Sequence, residues 1–294
     1  MHSRRLALGT AQFGMRYGVA NRVGQVQGSE ARRILERART VGMDTLDTAA
    51  AYGASESLLG TLGVADWIVV TKLPPVPAGC QDVPGWMRSA AEGSLGRLGV
   101  ERLGGLLLHA PLQLLGPGGA AIYAALERLR AAGLTQRIGI SVYAPEELEA
   151  LGARFDFDIV QAPLNILDRR LAVSGWLERL HAAGVEVHVR SLFLQGLLLM
   201  PPAERPDEFS RWQPLWDLWH GWLAASGLTA IQACVAFAAA QPHVDRAVVG
   251  VDSLRQLEEI LAALSGDRIE LPPELASDEP ELLDPSRWRL RGAA

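Results

Sequence analysis

Residues 102–133, RLGGLLLHAPLQLLGPGGAAIYAALERLRAAG, decide how this chain folds. A short apolar run stops at His109. A turn rich in proline and glycine follows, and then apolar residues return every three or four positions until Gly133, a residue suited to closing a helix. That is one strand followed by one helix. The same beat runs outward in both directions. Upstream, RLALGTAQ leads to SEARRILERARTVG, DTLDTA to SESLLGTLG, and WIVVTKL to MRSAAEGSLGRLG. Downstream, RIGISVY leads to APEELEALG, FDIVQAPLN to SGWLERLHAAG, VEVHVRSL through a long insertion to TAIQACVAFAAAQ, and RAVVGVDS to LRQLEEILAAL. In SEARRILERARTVG, Ser29 is placed to cap a helix whose apolar face is Ala31, Ile34, Leu35 and Ala38.

Strands alternating with helices imply parallel strands joined by right-handed crossovers. Eight such units predict an α/β fold of the (β/α)8 TIM barrel type; an open doubly wound sheet is the competing arrangement. No linker divides the chain, so residues 1–294 are expected to form a single barrel domain, with an irregular tail from about 266, rich in proline and acid, running over the surface. The composition is that of a globular protein: 49% hydrophobic and 21% charged over 294 residues, with a net charge of -5. That charge leaves no basic footprint for nucleic acid or for a membrane surface. SLFLQGLLLM is too short to span a bilayer, and the first residues lack the apolar core of a secretory signal, so a soluble cytoplasmic protein is expected. Cys80 and Cys234 stand far apart without ligand spacing and read as ordinary thiols.

In such a barrel the active site lies at the carboxyl ends of the strands, so a polar residue at the end of an apolar run is informative. Asp47 ends the second strand and Tyr52 follows it in AAAYG; Lys72 ends the third and His109 the fourth. Strand alternation puts Lys72 on the face of Ile68 and Val70, and His109 on that of Leu107. Each residue alone has an ordinary reading: a turn cap, a packing ring, a snorkelling lysine, a structural histidine. Together they make chemical sense as an acid-base set. An ammonium near a phenol favours its ionisation, a carboxylate holds the lysine charged and aimed, and a histidine can orient a carbonyl oxygen.

LGTAQFG, DTAAAYG, TKL and LLLHAP, in this order and on these strands, resemble the aldo-keto reductases, and the resemblance runs from about Leu6 to about Leu264. It implies a barrel that binds NADPH or NADH in extended form and moves hydride to or from a carbonyl carbon. By motif, Tyr52 would be the proton donor, Lys72 its partner, Asp47 the partner of the lysine, and His109 the group that orients substrate. The cofactor-binding residues implied by the same resemblance are Gly9 and Thr10; Ser141 and Gln161 on the nicotinamide carboxamide; Arg190, Ser191, Leu192 and Gly196 after the seventh strand; and Gly250, Asp252, Ser253, Gln256 and Glu259 after the eighth. No metal is implied.

Several positions depart from the family's pattern. Val142 stands where asparagine is usual, Arg190 where an aromatic residue commonly stacks on the nicotinamide, and Ile260 where asparagine is usual. An ion pair with Glu186 is the competing role for Arg190. Asp252 takes the place of a basic residue for the 2'-phosphate, which predicts that NADH serves at least as well as NADPH, although Arg255 could still receive phosphate. The expected partner is a small carbonyl or alcohol, sugar-like or a secondary metabolite by the weak hint of the long first loop, where Tyr17 and Arg22 could touch it. Trp86, Trp212, Trp216, Trp219 and Trp222 could stack on such a ligand, but the last four recur at helical spacing and favour core packing. A regulatory subunit that binds cofactor with little turnover is the alternative function. A barrel hydrolase or lyase lacks the paired acids or metal cluster it would need. The oligomeric state is not encoded legibly.

Overall fold

A computed structural model describes residues 3–264 and 269–288. Its eight strands are β1 (Leu6–Gly9), β2 (Thr45–Asp47), β3 (Ile68–Leu73), β4 (Gly105–Leu108), β5 (Ile138–Ser141), β6 (Ile159–Pro163), β7 (Glu186–Arg190) and β8 (Arg246–Gly250). All pairings are parallel and follow chain order, and β8 closes on β1, so the sheet is a barrel rather than an open sheet. Register fixes which strand ends meet. Gly9 lies beside both Asp47 and Gly250, Lys72 beside Leu107, and Gln161 beside both Ser141 and His188.

The strands are short and almost wholly buried because both faces are covered, one by the barrel interior and one by helices. Val70, Leu107 and Ile159 form an apolar cluster separate from the main core. Ile159 fits because Gly105 and Gly139 lie next to it; a Cβ on Gly139 would come within 2.1 Å of the Ile159 carbonyl oxygen. The outer core lies between barrel and helices. Helix Gly28–Thr40 turns in Ala31, Ile34, Leu35 and Ala38, the face expected from sequence, but it begins at Gly28 with Gln27 as its cap residue, so Ser29 lies inside the first turn.

The insertion after β7 contains helix Gln213–Ser226, and its tryptophans pack into the core. Trp216 and Trp219 are fully buried and donate their indole N–H groups to the Phe209 and Leu198 carbonyls at 2.9 and 3.1 Å. That leaves them no role in ligand stacking. Of the tail expected from about 266, residues 266–268 and 289–294 lie outside the described residues. Between them, short helical turns bury Leu275, Leu282 and Leu283. Among the described residues no single helix is long and apolar enough to cross a membrane.

Candidate active site

The centre of the candidate site is a buried ion pair. Lys72 Nζ donates to both oxygens of Asp47 at 2.8 and 2.9 Å and to the Thr48 carbonyl at 3.0 Å, which uses all three ammonium hydrogens. The side chains are 1% and 5% exposed. Asp47 Oδ2 also accepts from Gln161 Nε2 at 2.7 Å, so the charge is met by donors from two further strands. Isolated charges at this depth would be costly; paired and hydrogen-bonded they are tolerated, and they hold each other in one geometry. Burial lowers the Lys72 pKa, and the neighbouring carboxylate opposes that shift.

Tyr52 lies above this pair, its ring centroid 5.2 Å from Lys72 Nζ. The loop carrying it is pinned by backbone contacts that leave no room for side chains. A Cβ on Gly14 would sit 1.7 Å from the Tyr52 carbonyl oxygen, and one on Gly53, at φ +54°, would meet the Gly14 carbonyl oxygen at 2.4 Å. Ala54 N–H donates to that same Gly14 oxygen at 3.2 Å. Below the loop, the Ser55 hydroxyl lies within hydrogen-bond reach of the Thr10 carbonyl and hydroxyl and of the Thr48 hydroxyl, at 2.8 to 3.1 Å. Gly14, Gly53 and Ser55 are therefore positioning residues for the phenol. Of these, only Gly53 carries a visible signal, as a glycine directly after a tyrosine.

Electrostatics around the phenol differ from the sequence expectation. Desolvation raises the Tyr52 pKa above its ordinary value, the Asp47 charge raises it further, and Arg190 is the cation that opposes them. The lysine's charge is directed into Asp47. Tyr52 is thus a protonated donor throughout the neutral range. His109 meets it edge-on, with ring centroids 5.9 Å apart, and burial together with Lys72 and Arg190 lowers the imidazole pKa to about 4. It is neutral at ordinary pH and can donate one hydrogen bond. His109 also borders a small recess shared with Trp86 and Val76. Tyr17 completes the mouth 6.3 Å from Tyr52, its own pKa pushed up by burial to about 12. Arg22 instead pairs with Glu204 on the surface.

From Asp47 and Tyr52 a cleft of about 320 Å³ runs past Gly9, Thr10 and Gly250 to Asp252, Gln256 and Glu259, with Arg190, Ser191, Leu192 and Gly196 along its other wall. Gly9 and Gly250, paired at the ends of β1 and β8, add no side chains of their own to this rim, over which the Gln12 side chain lies. A Cβ on Gly250 would fall 2.6 Å from Gln12 Nε2. The opposite wall is bent tightly: Ser191, Leu194, Gln195 and Gly196 all have positive φ. It meets the first loop where Ala20 N–H approaches the Gln195 carbonyl and Gln195 Nε2 reaches the Tyr17 hydroxyl. A cleft that runs from Tyr52 along glycines to polar groups beside a helix N-terminus suits an extended dinucleotide.

The remaining predicted residues lie close by, in other arrangements. Ser141 and Gln161 are buried beneath the cleft, the glutamine turned toward Asp47. Arg190 stacks on the Tyr143 ring at 4.4 Å and donates to the Val142 carbonyl at 2.9 Å, while Glu186 pairs with Arg137 and His188. Ser253 caps helix Leu254–Ala263, accepting from Gln256 N–H at 3.3 Å. Sequence reasoning missed Asn21, 2% exposed, which donates to Asp252 Oδ1 at 3.0 Å.

A profile of the Aldo/keto reductase family matches residues 5–274. The chain belongs to the aldo-keto reductase family. A curated aldo-keto reductase of Mycolicibacterium smegmatis is 31% identical over 139 residues, which span 44% of this chain and 46% of the relative. This aldo-keto reductase chain therefore aligns with less than half of that relative's length. Two solved structures share its fold. The holo form of an aldo-keto reductase from Bacillus halodurans superposes with a TM-score of 0.70 at 22% identity, covering 90% of this chain and 88% of its own. A thermostable aldo-keto reductase, Tm1743, solved with the inhibitor epalrestat, gives 0.67 at 23% identity and covers 92% of each chain.

Proposed function

We propose that this protein is an NAD(P)H-dependent oxidoreductase that reduces a small aldehyde or ketone, or oxidises the corresponding alcohol. The observation that supports this most strongly is the buried Asp47–Lys72 pair beneath a protonated Tyr52, with neutral His109 edge-on to the phenol. When bound, the cofactor would supply hydride to the carbonyl carbon. The chain's residues handle the oxygen. Tyr52 donates its phenolic proton as negative charge develops there, and His109 aims the carbonyl by a hydrogen bond. Arg190 is the cation that favours the phenolate left behind, which must regain a proton before the next turnover. Gly9, Thr10, Gly250 and the wall from Ser191 to Gly196 would hold the dinucleotide along the cleft. The test is carbonyl-dependent loss of absorbance at the reduced-nicotinamide band across a panel of aldehydes and ketones, with Tyr52→Phe as the control. Cofactor binding with no turnover on any substrate would count against the reading.

A further inference from the structure

The far end of the cleft carries an arrangement that no motif marks. Helix Leu254–Ala263 points its N-terminus toward this end, but the amides of Leu254 and Gln256 in its first turn already have partners. Leu254 N–H donates to Glu30 Oε1 at 2.7 Å, Gln256 N–H to the Ser253 hydroxyl at 3.3 Å, and Asp252 N–H to Gln256 Oε1 at 2.6 Å. Glu30 comes from the first turn of helix Gly28–Thr40, which packs alongside and adds the Arg37–Glu258 ion pair at 2.7 Å. Its carboxylate stands where an anion would otherwise be received.

Beside it, Asp252 is aimed rather than free. Asn21 Nδ2 donates to Asp252 Oδ1, and the same amide is locked to Gly24 through two hydrogen bonds, Nδ2 to the Gly24 carbonyl at 3.0 Å and Gly24 N–H to Oδ1 at 2.7 Å. One aspartate oxygen is thereby fixed, and Gln256 is a second side-chain hydrogen-bond partner of the same carboxylate. Arg255 lines the same end of the cleft and is shared with a neighbouring carboxylate. Arg255 is 84% exposed and lies 3.6 Å from the Glu259 carboxylate.

We infer that the cleft selects a dinucleotide whose adenosine ribose carries a free 2'-hydroxyl, NADH over NADPH, through Asp252 as acceptor and Glu30 as the anion already seated on the helix. This rests on the dinucleotide reading above. A hydroxyl donates to the Asp252 carboxylate, whose oxygens have lone pairs beyond those its amide partners use. A 2'-phosphate meets the Asp252 carboxylate and finds the Leu254 amide taken by Glu30, which is itself paired with Arg33, and like charges a few ångströms apart near a surface correspond to about a 30-fold loss of affinity. Asn21 and Glu30 lie more than 220 residues from Asp252 and Leu254, so only the fold brings the four together.

The test is equilibrium binding, read by tryptophan fluorescence quenching, of NADH and NADPH, with 5'-AMP and 2'-phospho-AMP as adenosine-end probes. The native protein is expected to bind NADH at least about 30-fold more tightly than NADPH, with the same order for the two mononucleotides. Glu30→Gln keeps an acceptor for Leu254 N–H and removes the carboxylate charge together with its Arg33 ion pair; it should narrow the ratio about tenfold, chiefly by strengthening NADPH. Asp252→Asn should narrow it from both sides. Equal or tighter NADPH binding by the native protein overturns the inference and leaves the oxidoreductase reading standing. An unchanged ratio in a folded Glu30→Gln variant overturns the part assigned to Glu30. Failure to bind either dinucleotide overturns both the inference and the reading it rests on.

Discussion

Replacing Lys72 with methionine isolates the contribution of the buried pair. The substitution keeps most of the side-chain volume and removes the ammonium that makes three hydrogen bonds, two of them to Asp47. Asp47, 4% exposed, keeps Gln161 Nε2 at 2.7 Å as its remaining side-chain donor. Removing one partner of such a pair costs about 3–5 kcal/mol, because the other charge stays buried without compensation. Against a total stability of roughly 5–15 kcal/mol this is a large loss. Urea unfolding followed by the fluorescence of the eight tryptophans should show the midpoint fall with little change in slope. The double variant Lys72→Met/Asp47→Leu removes both charges and should recover all but about 1–2 kcal/mol. A single-variant loss below about 1 kcal/mol, or a double-variant loss equal to the sum of the two single losses, would refute the reasoning.

Acid stability should be governed in part by His109 and His188. Burial holds both near a pKa of about 4 in the folded chain, against 6.5 when unfolded, so the unfolded state takes up protons first. Their contribution is complete above pH 6.5 and is lost as pH falls toward 4, by about 3 kcal/mol for each; His188→Leu should flatten the pH dependence of urea stability, and an unchanged slope would count against it. Gly14→Ala should cost about 2 kcal/mol or more and cut turnover at least tenfold, since its Cβ would collide with the Tyr52 carbonyl oxygen; a variant with native melting temperature and activity would show that the loop moves freely. Ser253→Ala should lower stability by about 1 kcal/mol by removing the cap on helix Leu254–Ala263, checked by the urea midpoint.

The barrel was legible because each strand is a compact apolar run and each helix repeats its apolar face, signals that survive without knowledge of the partner. Asp47, Lys72 and His109 could be found for the same reason: a charge or imidazole at the end of a buried strand contradicts its surroundings. Local pattern says less about what a side chain touches across the barrel. Nothing near Gln161 announces Asp47, 114 residues away, and nothing near Glu30 announces Leu254. Gly14 reads as a turn glycine until the fold brings the Tyr52 carbonyl against it. The start of helix Gly28–Thr40 shows the same limit on a small scale, for Ser29 suits a cap by type but the chain enters the helix two residues earlier, with Gln27 as the cap residue.

The most direct test of the central claim pairs turnover with binding in Tyr52→Phe. Native protein should oxidise reduced nicotinamide cofactor only when a carbonyl substrate is present. The variant, which loses the hydroxyl and keeps the ring over Lys72, should retain native cofactor affinity and lose about 10²–10⁴-fold in kcat. A phenylalanine variant that turns over at the native rate would contradict the assignment of Tyr52 as the acid and, with it, the account of this site.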